Sequence, residues 1–600
     1  MQQTQAKPVS TDGKWVSVAS ASEVFESGCK TVYAWGYTIA LFKFDRQIYA
    51  VDNRCPHMGF PLDKGNVREG ILTCHWHHAR FDLASGGTFD LWADDVRAFP
   101  VKLEDGLVWL DLTPLPGMHV RYLKNLSSGL ERNIRLVIAK ATLGLLSGQA
   151  NLDTAALEPF RAGLKFAATN RRGGWSIGAT TLAVMQNLLP HLDEEDKPRA
   201  LFTGLNAVSR DCDGQPARFA VEPLPDASAD IALLKKWFRQ FIEVRDSEGA
   251  ERCIVTAVRA GYSPAQVVDI FYAAATDHRY IDIGHPLDFT TKAFEALDLA
   301  GWDTDLAAPV LASLVPNYTG ADRMEESNEW RHPIDLVALL ENTFGQIEQA
   351  AAQGAGKEWR WHSDDSLIDV LLGDDPVAIV TFLLEALRQG ATYEQLAGIV
   401  AYTALRRIVH YGITNEYPDW NTVHHTFTFA NAVHMGMRRA PSVELVRGVF
   451  DAALSIYLDR FLNIPPTRLP APLLEQQVVA TPDELLKKLF DLFNLQQQVN
   501  EAAELVALYL NMGGAPDKLR ATLGKALLRE DAGFHPIQSL EACFRQYAML
   551  LEFPGDPKIA NHALLAAVRY LAAHSPTARS ANQTYQIALR LNRGEKVFEE

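Results

Sequence analysis

Cys55-Pro56-His57 and, after sixteen further residues, Cys74-His75-Trp76-His77 constrain this 600-residue chain more than any other stretch. Two cysteines and two histidines in paired short arms form a donor set for soft or borderline metal ions. Each arm is too short to be more than a turn. The loop between them must therefore be long enough to bring both turns onto one centre from two sides. Tetrahedral zinc is one ion such a set satisfies. Around the motif, runs such as Thr38-Ile39-Ala40-Leu41-Phe42-Lys43-Phe44 and Leu107-Val108-Trp109-Leu110 alternate with glycine and acidic turns. Trp15 to Leu112 therefore reads as antiparallel strands.

The ligand arms continue as Asn53-Arg54-Cys55-Pro56-His57-Met58-Gly59 and His77-His78-Ala79-Arg80-Phe81-Asp82-Leu83-Ala84-Ser85-Gly86-Gly87. With these residues the segment from about 14 to 112 resembles Rieske 2Fe-2S domains. Structural zinc is set aside because zinc motifs do not carry the Arg-Phe-Asp-Leu-x-x-Gly continuation. The resemblance implies that Cys55 and Cys74 ligate the buried iron of a 2Fe-2S cluster. It assigns the outer iron to His57 and His77 through Nδ1, with Nε2 near the surface. Two neutral histidines in place of thiolates lower the negative charge and raise the potential. Respiratory members of the family carry an extra cysteine in each loop and a serine hydroxyl on a bridging sulfide. Here those positions read Phe60, Trp76 and Ala79. With fewer hydrogen bonds to the cluster, the potential is expected toward the low end, on the order of −150 mV, as in the ferredoxin and oxygenase type. His78 stands where glycine is usual and reads as a solvent-facing loop histidine.

The rest of the composition suits a soluble cytoplasmic protein. Beyond the two ligand cysteines, Cys29, Cys212, Cys253 and Cys543 are scattered without a framework, so no structural disulfides are expected. Met1 to Lys14 lacks an apolar signal core, and no segment reaches the roughly 18 uninterrupted apolar residues of a membrane span. The longest apolar candidate, near Leu136 to Leu146, is broken by Lys140. A net charge of −16 opposes nucleic-acid binding.

After Thr113-Pro114-Leu115-Pro116-Gly117 the sequence turns to Ala, Leu and Glu at helical spacing. The expected fold class is multidomain α+β: a small antiparallel β domain at 1–115, then a large all-α domain at 116–464. A C-terminal helical segment at 465–600, set off by Pro465-Pro466 to Pro472, is expected to pack on it. The all-α part carries a faint duplication. Ala257-Val258-Arg259-Ala260-Gly261 leads to Gln266 and Ile270, then Asp288; Ala386-Leu387-Arg388-Gln389-Gly390 leads to Gln395 and Ile399, then Asp419. Two such lobes would face each other across a pocket.

Histidines gather at matching places in the two copies. His278, Asp282 and His285 lie in the first; His424, His425 and His434 open the helix of the second, with His434 in an apolar stripe. These six are the candidate catalytic residues, set against the reading that histidines in such stripes are hydrogen-bonded core. Neither standard oxygenase site is present: no acid-His-His pattern follows residue 116, and among Glu-x-x-His turns only Glu329-Trp330-Arg331-His332 occurs. Asn421-Thr422-Val423-His424-His425-Thr426-Phe427-Thr428-Phe429-Ala430 is similar to a helix start in questin-oxidase-like proteins, a helical family associated with oxygen insertion into aromatic ketones. That resemblance implies that His424 and His425 belong to an active pocket.

No Gly-x-Gly-x-x-Gly follows a strand and no Walker loop occurs, so electrons are expected from an external reductase or ferredoxin. It would dock around His57, His77 and Trp76, with Asp94, Asp95, Glu104 and Asp105 steering a basic partner. The expected function is a Rieske oxidoreductase. In the favoured form it is a monooxygenase or dioxygenase whose cluster feeds an oxygen-activating site, with room for an additional non-haem iron, acting on a small apolar or aromatic substrate. The alternative is an electron carrier or redox sensor whose helices only dock partners. Trp175, Trp302, Tyr402 and Trp420 are candidates for an apolar cavity. Neither nucleic acid nor membrane is expected as a partner; a homo-oligomer is left open.

Overall fold

In the computed structural model, residues 15–113, 117–225, 230–360, 365–470, 480–553 and 556–595 are described. Met1–Lys14 and the punctuating Pro114-Leu115-Pro116 and Ala471-Pro472 lie outside them. The chain forms two compact units. One comprises Met1–Asn151 with Ser580–Glu600, the other Leu152–Arg579. The boundaries expected near residues 115 and 464 follow the proline punctuation, whereas the contacts part at Asn151 and Arg579. The reason lies in the helix Arg135–Leu146, apolar nearly all round, against which the helices Met118–Glu131 and Ser580–Asn592 both pack.

Among the described residues the first unit holds ten strands: β1 (Trp15–Ser20), β2 (Cys29–Ala34), β3 (Tyr37–Phe44), β4 (Gln47–Asp52), β5 (Asn66–Arg68), β6 (Ile71–Thr73), β7 (Arg80–Asp82), β8 (Ala98–Phe99), β9 (Val101–Glu104) and β10 (Leu107–Asp111). They make three antiparallel sheets, ordered β1-β10-β9, β2-β3-β4-β8 and β5-β6-β7. The hairpins β2–β3 and β3–β4 close with the two-residue turns Trp35-Gly36 and Asp45-Arg46, each with both φ positive. That geometry matches the twist of the paired strands.

The run of apolar residues in β3 has a specific cause. Side chains alternate across a strand, and here both faces are covered. Ile39 and Leu41 pack with Ile48, Ala50, Phe99, Val108 and Leu110. Ala40 and Phe42 pack on the other side with Val51, Leu72, Phe81 and the two cysteines Cys55 and Cys74. A strand buried on both faces reads as continuous rather than alternating hydrophobicity. The candidate ligands thus stand in one of the two cores.

The second unit is helical. The helices Pro264–Ala275 and Tyr393–Val409 start with the same reciprocal cap, Ser263 with Gln266 and Thr392 with Gln395. Each is followed by a helix that carries candidate residues, His285–Ala300 and Tyr417–Arg439. These two pack on each other, and a third helix, Phe534–Glu552, packs on Tyr417–Arg439. Among the described residues no helix is long and apolar enough to cross a membrane, and all six cysteines are free thiols.

Candidate functional sites

Both cluster loops are built on one backbone plan. In the first, which follows β4, Cys55 N–H donates to Phe60 O at 2.8 Å and Gly59 N–H to Cys55 O at 2.7 Å. In the second, between β6 and β7, Cys74 N–H donates to Ala79 O at 2.8 Å and His78 N–H to Cys74 O at 3.0 Å. Gly59 and His78 occupy equivalent places, and both are left-handed, with φ of +83° and +62°. His78 therefore adopts the backbone conformation that glycine adopts without strain, and its exposed ring accords with the expected loop histidine.

The residues fit a 2Fe-2S cluster. Cys55 and Cys74 are 2% and 1% exposed. Their thiols share a hydrogen bond, which draws Cys74 down to about 6 with help from the Trp76 and His77 amides. The His57 and His77 rings stand 4.7 Å apart, centroid to centroid. His57 Nδ1 is buried without a hydrogen-bond partner, and burial lowers its pKa to about 4, so the ring is neutral and its lone pair free to ligate. His77 is exposed. Trp92 packs edge-on against His57 with centroids 4.7 Å apart, and Trp76 lies 4.1 Å from His77.

Lys140 explains its own place in an apolar helix. Its Nζ donates to the carbonyl of Pro56, between the two ligands of the first loop, at 2.6 Å, and pairs with Asp94. Three of the four carboxylates expected to steer a basic partner are engaged within the unit: Asp94 with Lys140, Asp95 with Arg121 and Glu104 with Lys102. Those pairs offset the negative field the sequence suggested around the cluster.

Among the described residues of the helical unit one group meets metal-ligand geometry. Ligand nitrogens of His285, His425 and His535 all lie within 4.8 Å of one another, and the Nε2 atoms of His425 and His535 are 3.0 Å apart. The three come from separate helices. His285 is the first residue of its helix, His425 lies in the third turn of Tyr417–Arg439, and His535 is the second residue of Phe534–Glu552. Burial lowers His285 to about 4 and His425 to about 3, with neighbouring imidazoles adding to the effect, and burial lowers His535 as well. All three are held neutral, the state that ligates metal.

The backbone before His285 is strained. Tyr280, Asp282 and Ile283 have φ of +44°, +44° and +49°. For a β-branched residue such as Ile283 that is a genuine outlier, at a cost of about 1–2 kcal/mol per residue. Gly284 completes the turn at φ +91°, and a Cβ there would meet Phe429 at 2.6 Å. Asp282 N–H donating to Asp322 O at 2.8 Å and the Tyr280 ring against Phe429 hold the turn. Strain of this kind gathers where geometry serves function.

The six sequence candidates are thus placed differently. His285 and His425 lie in the three-histidine group. His424 is adjacent and fully buried: its ring is 5.2 Å from that of His535, its Nε2 is 3.0 Å from Gln538 Oε1, and its Nδ1 is buried with no partner. Gln538 in turn donates to Asp288. His278 is occupied by Glu325 at 2.7 Å and Glu243 at 3.3 Å. Asp282 belongs to the strained turn. His434, about 13 Å along the helix from His425 at 1.5 Å per residue, is buried against Gln546. Of the aromatic candidates, Trp420 packs edge-on against Tyr570 and His574, and Tyr570 in turn lies against His424. Trp175 is core, bonded to Thr180, Tyr402 bonds His562, and Trp302 bonds Asp298.

Sequence reasoning did not find His535. A signal existed: Gly284-His285-Pro286-Leu287-Asp288 and Gly533-Phe534-His535-Pro536-Ile537-Gln538 each place His-Pro at a helix start with a polar residue three positions after the histidine.

Comparison with known proteins bears on the first site. The family model of the Rieske [2Fe-2S] domain matches residues 14–100. The chain is 35% identical to the 4beta-methylsterol monooxygenase of Methylococcus capsulatus over 19% of its own length and 36% of that protein's. It is 29% identical to the ferredoxin component of the naphthalene 1,2-dioxygenase system of Pseudomonas putida, over 17% of this chain and 97% of that one. Apoptosis-inducing factor 3 of Homo sapiens is 28% identical over 32% of this chain and 27% of its own. Among solved structures, the Sphingomonas yanoikuyae B1 ferredoxin is similar over 16% of this chain and 96% of its own, with 24% identity and a TM-score of 0.15. The chain spans about a third of the length of the methylsterol monooxygenase. The paired cluster loops, their buried thiols and the family match identify residues 14–100 as a Rieske domain, which binds a 2Fe-2S cluster.

Proposed function

We propose that this chain is a Rieske-dependent oxygenase. Cys55, His57, Cys74 and His77 would hold the cluster, which would supply single electrons, and His285, His425 and His535 in the helical unit would hold a non-haem iron, which would supply the chemistry with oxygen. The substrate is a small apolar or aromatic molecule. The observation that carries this reading is the convergence of three neutral, half-buried imidazoles from three helices far apart in sequence. His425 and His535 hold their Nε2 atoms 3.0 Å apart, sharing a proton in the metal-free protein, and both nitrogens face the ring of His285, so a bound cation would replace that proton. An iron there would supply the redox chemistry with oxygen. The protein's own contribution is to fix the three ligands and line the centre with the rings of Phe289 and Phe534. A separate reductase or ferredoxin supplies the electrons, and the cytoplasm suits a chain with free thiols.

The test is stopped-flow mixing of dithionite-reduced, iron-reconstituted protein with oxygen, following the cluster absorbance. Reoxidation in His425→Ala and His535→Ala should slow by at least about tenfold while the cluster spectrum stays that of the parent. Equal rates in parent and variants would favour the electron-carrier reading instead.

A further inference from the structure

We infer that the His285–His425–His535 centre takes its substrate as an anion, an enolate or phenolate on a planar apolar skeleton, whose oxygen completes the metal's coordination. This rests on the metal-centre reading above and adds to it the charge class of the ligand.

The donor set is neutral. Among the described residues no carboxylate joins the three imidazoles as a ligand, so a divalent ion there would keep both its charges in a half-buried site. Uncompensated charge in such surroundings is costly and is met by pairing. The surrounding carboxylates do little to meet it. Glu295 and Glu541 are both spoken for by the buried Lys292 and the partly exposed Arg545, all four forming one network. Asp288 is a buried acid for which no salt bridge is found among the described residues. It is fully buried, lies one turn after His285 and is linked through Gln538 to His424. Burial pushes the Asp288 carboxyl up to about 7, so it offsets at most one of the ion's two charges and leaves at least one for an anionic ligand to neutralise.

Two further features point the same way. His285 and His535 stand in the first turns of helices of 16 and 19 residues, and the N-terminal ends of helices favour negative charge. The walls are aromatic. Phe289 stacks on His285 at 5.2 Å, and Phe534 lies 6.0 Å from Phe289 and 6.3 Å from His285, centroid to centroid. Such walls favour a flat apolar body behind the charged oxygen.

The experiment uses the full chain with its cluster intact, titrated with Co²⁺ and followed by calorimetry and by the cobalt d–d bands. Parent and His535→Ala are compared, so that the metal is tested first. The Co²⁺-loaded parent is then titrated at pH 8 with 4-nitrophenolate and with nitrobenzene, its neutral counterpart. The expected result is a preference for the anion on the order of 100-fold, a change in the d–d bands with the anion alone, and no preference without Co²⁺. Asp288→Asn should tighten the anion further and leave nitrobenzene unchanged. Co²⁺ bound by the parent but equal affinity for anion and neutral compound overturns the charge assignment and leaves the metal centre standing. Co²⁺ binding that His535→Ala does not weaken overturns the metal centre, and the charge assignment with it.

Discussion

His425 and His535 bring their Nε2 atoms to 3.0 Å of each other although 110 residues separate them in the chain. Two imidazole nitrogens at that distance share either a proton or a cation, because two bare lone pairs repel. The neighbouring His285 completes a group of three. The helix packing that aligns them is therefore what makes the site.

At the cluster, His77→Ala or Cys74→Ser is expected to abolish the electron paramagnetic resonance signal of the reduced protein. The far-ultraviolet circular dichroism should change little, because the helical unit has its own core. A reduced-cluster signal retained in His77→Ala would contradict the assignment of the outer iron.

Lys140 places a positive charge on the Pro56 carbonyl, beside both ligands of the first loop. A cation there favours the reduced cluster. Lys140→Met should lower the reduction potential by roughly 30–60 mV, equivalent to about 1 kcal/mol for one electron. Asp94→Asn, which removes the partner charge, should move it the other way. A redox titration of the two variants reads both signs.

His78 carries a left-handed backbone that costs a non-glycine residue about 1–2 kcal/mol. Glycine there removes this strain but gains about as much entropy in the unfolded chain. His78→Gly should therefore change the thermal lifetime of the cluster little, while His78→Val, β-branched at positive φ, should shorten it severalfold. The bleaching rate of the visible spectrum at elevated temperature measures both.

The Rieske motif was legible because it is local: two arms within 23 residues, followed by a continuation that packing does not alter. The double-sided burial of β3 was visible as a run without alternation. His285 and His425 could be singled out by their matching places in the two apparent copies; His535 shares only the His-Pro helix start with His285, and the packing of Phe534–Glu552 onto Tyr417–Arg439 is what brings it in. Lys140 read as an interruption, and its partner Pro56 lies 84 residues upstream. The return of Ser580–Asn592 to the first unit is likewise a matter of which apolar face it covers, and nothing in its own spacing names that face.

Buried His434 gives the protein an acid limit. Burial lowers its pKa to about 4, below the ordinary 6.5 of the unfolded chain. Between those values the unfolded state binds the proton and the folded state does not. Stability is fully present above pH 6.5 and is lost as pH falls toward 4, by up to about 3 kcal/mol. His434→Gln should flatten this dependence between pH 6.5 and 4.5 in urea denaturation followed by circular dichroism. An unchanged slope in that variant would show that other groups set the acid limit.

A chain that holds both a 2Fe-2S cluster and a separate three-histidine iron carries one iron more than its acid-labile sulfide. The direct measurement is total iron against acid-labile sulfide in protein reconstituted anaerobically with iron, for the parent and for His425→Ala with His535→Ala combined. Three irons per two sulfides are expected in the parent and two per two in the double variant, with the same reduced-cluster spectrum in both. Two irons per two sulfides in the parent would contradict the three-histidine iron and leave the cluster as the only iron centre of the chain.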